Sequence, residues 1–150
     1  EEKGSKAIFT VPILIRLEVH PEIIDFGELE IEDFEWWYKE LKAAQTVRVW
    51  SNVKDVNWVL TVAADSEFWD GPWAKPARDF QLRVASVDQP DRVTFYASDY
   101  FGLDTEEQTV AEGKRGKGIT FIMDAKVLVS WDDDEPGDYS LDFTFTLTAE

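Results

Sequence analysis

Tyr139-Ser140-Leu141-Asp142-Phe143-Thr144-Phe145-Thr146-Leu147-Thr148 alternates without a break. Tyr139, Leu141, Phe143, Phe145 and Leu147 fall on one face, and Ser140, Asp142, Thr144, Thr146 and Thr148 on the other. A period of two with β-branched and aromatic residues is a strand with one face on a core and the other in water, the habit of antiparallel sheets. The same grammar recurs upstream. Ile119, Phe121, Met123, Ala125, Val127, Val129 and Trp131 alternate with Thr120, Asp124, Lys126 and Ser130. Phe9, Val11, Ile13, Ile15, Leu17 and Val19 alternate with Thr10, Pro12, Arg16 and Glu18. By this reading Trp58 and Trp131, both at apolar positions of strong strands, belong to the core.

Shorter runs fill the middle: Val47 and Val49; Val56 to Ala64; Phe80, Leu82 and Val84; Val93, Phe95 and Ala97. Ser51-Asn52 to Lys54-Asp55 reads as a hairpin turn, Asp88 to Asp91 as another turn, and Glu112 to Gly118 as a flexible basic turn. Seven or more strands punctuated in this way predict an all-β, antiparallel, Ig-like β-sandwich. With neither a repeat nor a linker, residues 1–150 read as one domain. One segment departs from the pattern. From Asp33 to Ala44, Phe34, Trp37, Tyr38 and Leu41 stand at i, i+3, i+4 and i+7, which predicts a short helix across the end of the sandwich with Asp33 as its N-cap. The competing reading is a strand edge with Trp36 and Tyr38 on one face.

Composition removes much chemistry. Fifteen Lys and Arg stand against 31 Asp and Glu, for a formal charge of −16. A nucleic-acid binder needs the opposite sign to replace phosphate counterions, and an anionic membrane surface is disfavoured likewise. Cysteine is absent and His20 is the single histidine, so disulfides, thiolate nucleophiles, zinc fingers and histidine triads drop out. Paired carboxylates of the glycosidase kind are present only as chance would supply them among so many acids. The chain reads as non-catalytic. No stretch approaches a membrane span. The polar start, Glu1 to Lys6, with no initiator Met, reads as a mature secreted chain after removal of a signal peptide.

Three features carry candidate sites. Asp132, Asp133, Asp134 and Asp138, around Pro136-Gly137, read either as a calcium site, which takes six to eight oxygens, or as a solvated acidic hairpin. No other cofactor is called for. Trp36, Trp69 and Trp73 lie in irregular segments and read either as stacking platforms for a glycan or as rings covering the ends of the sandwich or a subunit interface. The N-terminal run is longer and more apolar than a closing strand requires. Pro12 cannot donate a ladder hydrogen bond, which places it at an edge, a bulge or a junction between subunits. Residues 1–19 therefore form a leader and a strand that either folds into its own sandwich or inserts into the next subunit, with Phe9, Val11, Ile13, Ile15 and Leu17 as the inserted side chains.

Ile24-Asp25-Phe26-Gly27-Glu28-Leu29, then Val47 to Asn52 leading to Asn57-Trp58-Val59-Leu60-Thr61-Val62, then Trp131-Asp132-Asp133 through Pro136-Gly137-Asp138-Tyr139 to the Thr-rich last strand, together resemble pilin-like Ig-fold subunits and WxL-type cell-surface domains. The chain departs from that pattern by inserting Ile31 to Ala44 and the loop Phe68 to Trp73, and by lacking the disulfide common among Gram-negative pilins. The resemblance implies an extracellular, non-catalytic role in adhesion or filament assembly, with no catalytic residues to carry over. The expectation is a secreted, cell-surface homopolymer subunit joined by donor-strand complementation, with its own copies as partners. The alternative is a carbohydrate-binding module using its exposed tryptophans.

Overall fold

The structure is a computed structural model and describes residues 1–149. It is an all-β sandwich of two antiparallel sheets. The strands are β1 (Ile15–His20), β2 (Tyr38–Ser51), β3 (Trp58–Ala64), β4 (Phe80–Val87), β5 (Val93–Phe95), β6 (Phe101–Gly102), β7 (Gln108–Gly113), β8 (Gly116–Leu128) and β9 (Phe143–Thr148), with one short helix, α1 (Ile31–Trp36), ahead of β2. One sheet has the order β1-β2-β8-β4-β6 and the other β5-β7-β3-β9.

Alternation along these strands sends Val47 and Val49 of β2, Ile119, Phe121 and Met123 of β8, and Leu82 of β4 into the interior. There they meet Trp58, Leu60 and Val62 of β3. Trp58 ties the two layers together. Its ring meets Phe121 edge-on at 6.2 Å, and its Nε1–H donates to the Lys114 carbonyl at 3.1 Å, so the one polar atom of the ring is satisfied.

The sandwich has two distinct ends. At one, Ile15, Ser51 and Gly116 lie side by side, next to the Trp58–Gly113–Val93 row of the other sheet. At the other, Tyr38 faces Leu128, Phe80 faces Val127, and Ala64 faces Phe143.

Four sequence expectations are corrected. The helix predicted over 33–44 is confined to Ile31–Trp36. Trp37 closes it in the left-handed region (φ 70°), its N–H directed at the carbonyls of Asp33 and Phe34, and from Tyr38 onward the backbone is strand. The long ladder from Tyr38–Leu128 to Ser51–Gly116 outweighs a local helical spacing. Asp33 is not the cap either. Glu30 is, and the Asp33 carboxylate accepts the Glu30 N–H at 2.8 Å.

Second, Ser51 to Asp55 is not a hairpin, because β2 and β3 lie in different sheets; the turns at 88–92 and 113–116 likewise cross between layers. Both sheets present the same alternation to one core, so a crossing looks like a hairpin in sequence. Third, the N-terminal strand begins only at Ile15, since its partner β2 ends at Ser51 and the ladder ends with it. Fourth, β8 stops at Leu128 for the same reason, and Trp131 lies outside the core, 53% exposed and stacked on Phe34 at 4.7 Å.

Candidate functional site: an open edge and an exposed N-terminal segment

The N-terminal segment lies outside the sheets. Phe9, Val11 and Ile13 are 87%, 66% and 77% exposed, and Ile8 and Leu14 are exposed as well. Large apolar side chains exposed together in this way are a feature of interaction surfaces. The segment is held at its root. Asn52 accepts the Leu14 N–H on Oδ1 at 2.7 Å, donates its own N–H to the Leu14 carbonyl at 3.1 Å, and donates from Nδ2 to the Pro12 carbonyl at 2.9 Å. These three bonds fix the direction in which residues 1–11 leave the sandwich. Of the expected donor residues, Phe9, Val11 and Ile13 lie on this free segment. Ile15 opens β1, and Leu17 packs against the subunit's own core.

Along one side of the sandwich, β1 of the first sheet and β9 of the second are both edge strands, with no further strand paired to either among the described residues. Leu17 and Val19 of β1 and Phe143, Phe145 and Leu147 of β9 pack on the core but stay half-buried. Between them is a cavity of about 230 Å³ lined by Val19, Glu22, Gln45, Phe143, Thr144 and Phe145. Gln45 is 1% exposed. Its Nε2 donates to the Pro21 carbonyl at 2.9 Å, but its Oε1 has no partner among the described residues. An unpaired acceptor beside an apolar groove suits an incoming backbone N–H.

The remaining candidate residues are scattered. Trp69 turns inward, edge-on to Phe80 at 6.0 Å, and Trp73 is half-buried with Lys75 Nζ 5.6 Å from its ring centroid. Of the three expected platforms only Trp36 stands in solvent, beside Trp37, which the sequence reading placed on the apolar face of the predicted helix. Asp134, read as a calcium ligand, is engaged on both oxygens. Oδ1 accepts from buried Lys75 Nζ at 2.7 Å, and Oδ2 accepts the Ser130 N–H at 2.7 Å. Lys75 also donates to Asp79 at 3.0 Å and to the Leu128 carbonyl at 2.7 Å, which satisfies all three ammonium protons. Asp132, Asp133 and Asp138 are exposed and, among the described residues, no group of three or more acidic or histidine side chains converges on one point.

A second polar network lies on the outer face of the first sheet. Asp124, 3% exposed, pairs with Arg83 at 2.9 Å and accepts the Ala43 N–H at 2.8 Å, which anchors the bulge in β2 where Ala43 takes φ 50°. Beside it Tyr100 donates to Glu40. That bond holds the Glu40 carboxyl below its usual range, while burial, then Glu40, push the Tyr100 phenol up.

No family model and no curated protein matches the chain. Among solved structures, the sandwich is similar to that of the P pilus rod subunit PapA, with a TM-score of 0.51 at 16% identity over 93% of this chain and 100% of the other. At that identity the likeness is one of fold: the chain folds as the pilus rod subunit's Ig-like sandwich does.

Proposed function

We propose that this chain is a non-catalytic structural subunit of an extracellular filament, polymerising when the N-terminal segment of one copy enters the β1/β9 groove of the next. One observation carries the reading: an exposed segment of alternating large apolar residues belongs to the same molecule as a half-buried apolar groove between two unpaired edges. Burying Phe9, Val11 and Ile13 contributes about 1.5–3 kcal/mol each before the ordering of the segment is subtracted. Main-chain bonds to an edge strand add affinity, and the spacing of the side chains sets register. The donor is shorter than the run Phe9 to Leu17, because Ile15 and Leu17 already serve β1. The fold shared with a pilus rod subunit supports the reading, as does a negative charge that keeps polymers apart. Among the described residues, no helix is long and apolar enough to cross a membrane.

The test is electron microscopy and light scattering of the full chain beside a chain lacking residues 1–13, which retains every strand. Filaments or masses far above 17.3 kDa, lost on deletion, are expected. A full chain that stays monomeric at high concentration overturns the proposal.

A further inference from the structure

The two ends of the sandwich differ in charge balance. At the end where Ile15, Ser51 and Gly116 align, the turn between β7 and β8 and the first residues of β8 carry three exposed cations, Lys114, Arg115 and Lys117. Arg92 donates from Nη1 to the Lys117 carbonyl at 3.0 Å, and Lys54 is exposed at the same end, where the exposed carboxylates are Asp55 and Asp91. At the far end, segment 22–36 carries seven carboxylates and segment 130–138 five, with no Lys or Arg in either. Within this acidic surface stand exposed aromatics: Trp36 and Trp37 at 64% and 58%, and Trp131 on Phe34. The platform is held firmly, by the Glu30–Asp33 capping contact beneath the helix and by the Lys75–Asp134 pair beneath the loop that carries Trp131. Aromatic rings on a rigid support, ringed by charge of one sign, have the makeup of an interface.

We propose that this acidic, aromatic end docks the basic turn of a second copy of the chain, so that subunits stack end to end with Lys114, Arg115 and Lys117 of one against the carboxylates around Trp36, Trp37 and Trp131 of the next. The inference rests on the filament reading and adds a second interface to it. Three observations fix the partner as this same chain. The charges are complementary and lie at opposite ends, which is the arrangement of a head-to-tail contact that propagates rather than closes.

The N-terminal segment is rooted by Asn52 at the basic end, so a donor body seated on the acidic end of its neighbour presents its segment to that neighbour's groove, past Ile24 and Phe26, which pack on the core at that end. Fourteen extended residues reach roughly 45 Å, whereas the six residues of β9 span only about 20 Å. Direction agrees too. Entering at the acidic end, with residue 14 at the mouth and residue 1 farthest in, the segment runs antiparallel to β9, the pairing this sheet uses throughout.

The test replaces Trp131 with a photo-cross-linking amino acid in the full chain, at a site exposed enough that the fold tolerates it, and maps the cross-links in assembled material by mass spectrometry. Links to residues 113–118 or to Lys54 of the neighbouring copy are expected. Assembled filaments whose links fall elsewhere, or that give none, overturn the end-to-end contact and leave the donor-strand reading standing; a chain that never assembles overturns both. In parallel, the triple variant Lys114→Glu, Arg115→Glu, Lys117→Glu is expected to raise the concentration needed for assembly at least tenfold. A partner carrying Glu32→Lys, Glu35→Lys and Asp132→Lys restores it. Unchanged assembly of the triple variant counts against the proposal.

Discussion

The two long sides of the sandwich are built from the same alternating strands but closed to different degrees. On the β5/β6 side the edges are three and two residues long, and the chain itself crosses between the sheets there. Tyr96 donates its N–H to Val110 of one sheet, Val84 of the other donates to the carbonyl of Ala97, and Ala97 and Leu103 are buried in the seam. On the β1/β9 side both edges run six residues, and half-buried Val19, Phe143 and Phe145 flank a cavity. Short, plugged edges are how a protein prevents strand addition, and long edges over a hydrophobic groove invite it. One molecule thus carries a guarded edge and an unguarded one. The exposed apolar segment that would fit the unguarded edge starts next to it in the chain.

The comparison breaks first at the guarded side. Leu103→Ala empties a site with no exposure and is expected to destabilise the monomer by about 2–5 kcal/mol, read by denaturant unfolding. Phe145→Ala on the unguarded side is expected to destabilise the monomer by less than the about 3–5 kcal/mol of a fully buried Phe, while weakening assembly more than Leu103→Ala does. Equal effects on monomer and polymer from both variants would mean that the two sides are alike.

A gentler intervention sharpens the same contrast. A synthetic peptide of residues 1–14, added to the chain lacking residues 1–13, is expected to raise its melting temperature. At a hundredfold excess over Kd the stabilisation is about 2.7 kcal/mol, which at this size is a shift of roughly 5–10 °C. A peptide with Val11→Asp and Ile13→Asp should do nothing. If both peptides act alike, the groove does not read side chains, and the unguarded edge is merely a frayed one.

Alternation sufficed to recognise the class of fold, because a half-buried strand leaves its period in any single sequence. The limits lie where a second strand decides. Trp58 and Trp131 occupy equivalent places in their runs, yet one is 1% exposed and the other 53%, since only the first has partners on its sheet. The hairpin reading of Ser51 to Asp55 failed for a related reason: local turn chemistry does not say whether the next strand returns to the same layer or faces it. Phe9, Val11 and Ile13 were legible as unusual from their pattern. The groove was not, because Val19, Gln45, Phe143 and Phe145 come together only through the topology. The charge contrast between the ends was hidden in the same way. Lys114 to Lys117 and Asp132 to Asp138 are separated by a single strand in sequence and by its full length in space.

A control for the comparison lies on the outer face of the first sheet, away from either side. Tyr100 donates to Glu40 and holds that carboxyl down, so the charged form of Glu40 stabilises the fold. This contribution is fully present above the carboxyl's unfolded pKa and is lost as pH falls through the lowered folded value. Tyr100→Phe removes the bond, so Glu40 should titrate closer to the ordinary carboxylate range, measurable by carbon NMR of its side chain. At neutral pH the variant should be destabilised by about 1 kcal/mol or less, and the difference from the parent should shrink toward strongly acidic conditions. Assembly should be unaffected, because neither β9, the Asn52 root nor either charged end touches this network. A Tyr100→Phe chain that assembles poorly would place a subunit contact on the sheet face, and the division of the molecule into a guarded and an unguarded side would then no longer be sufficient to describe how copies meet.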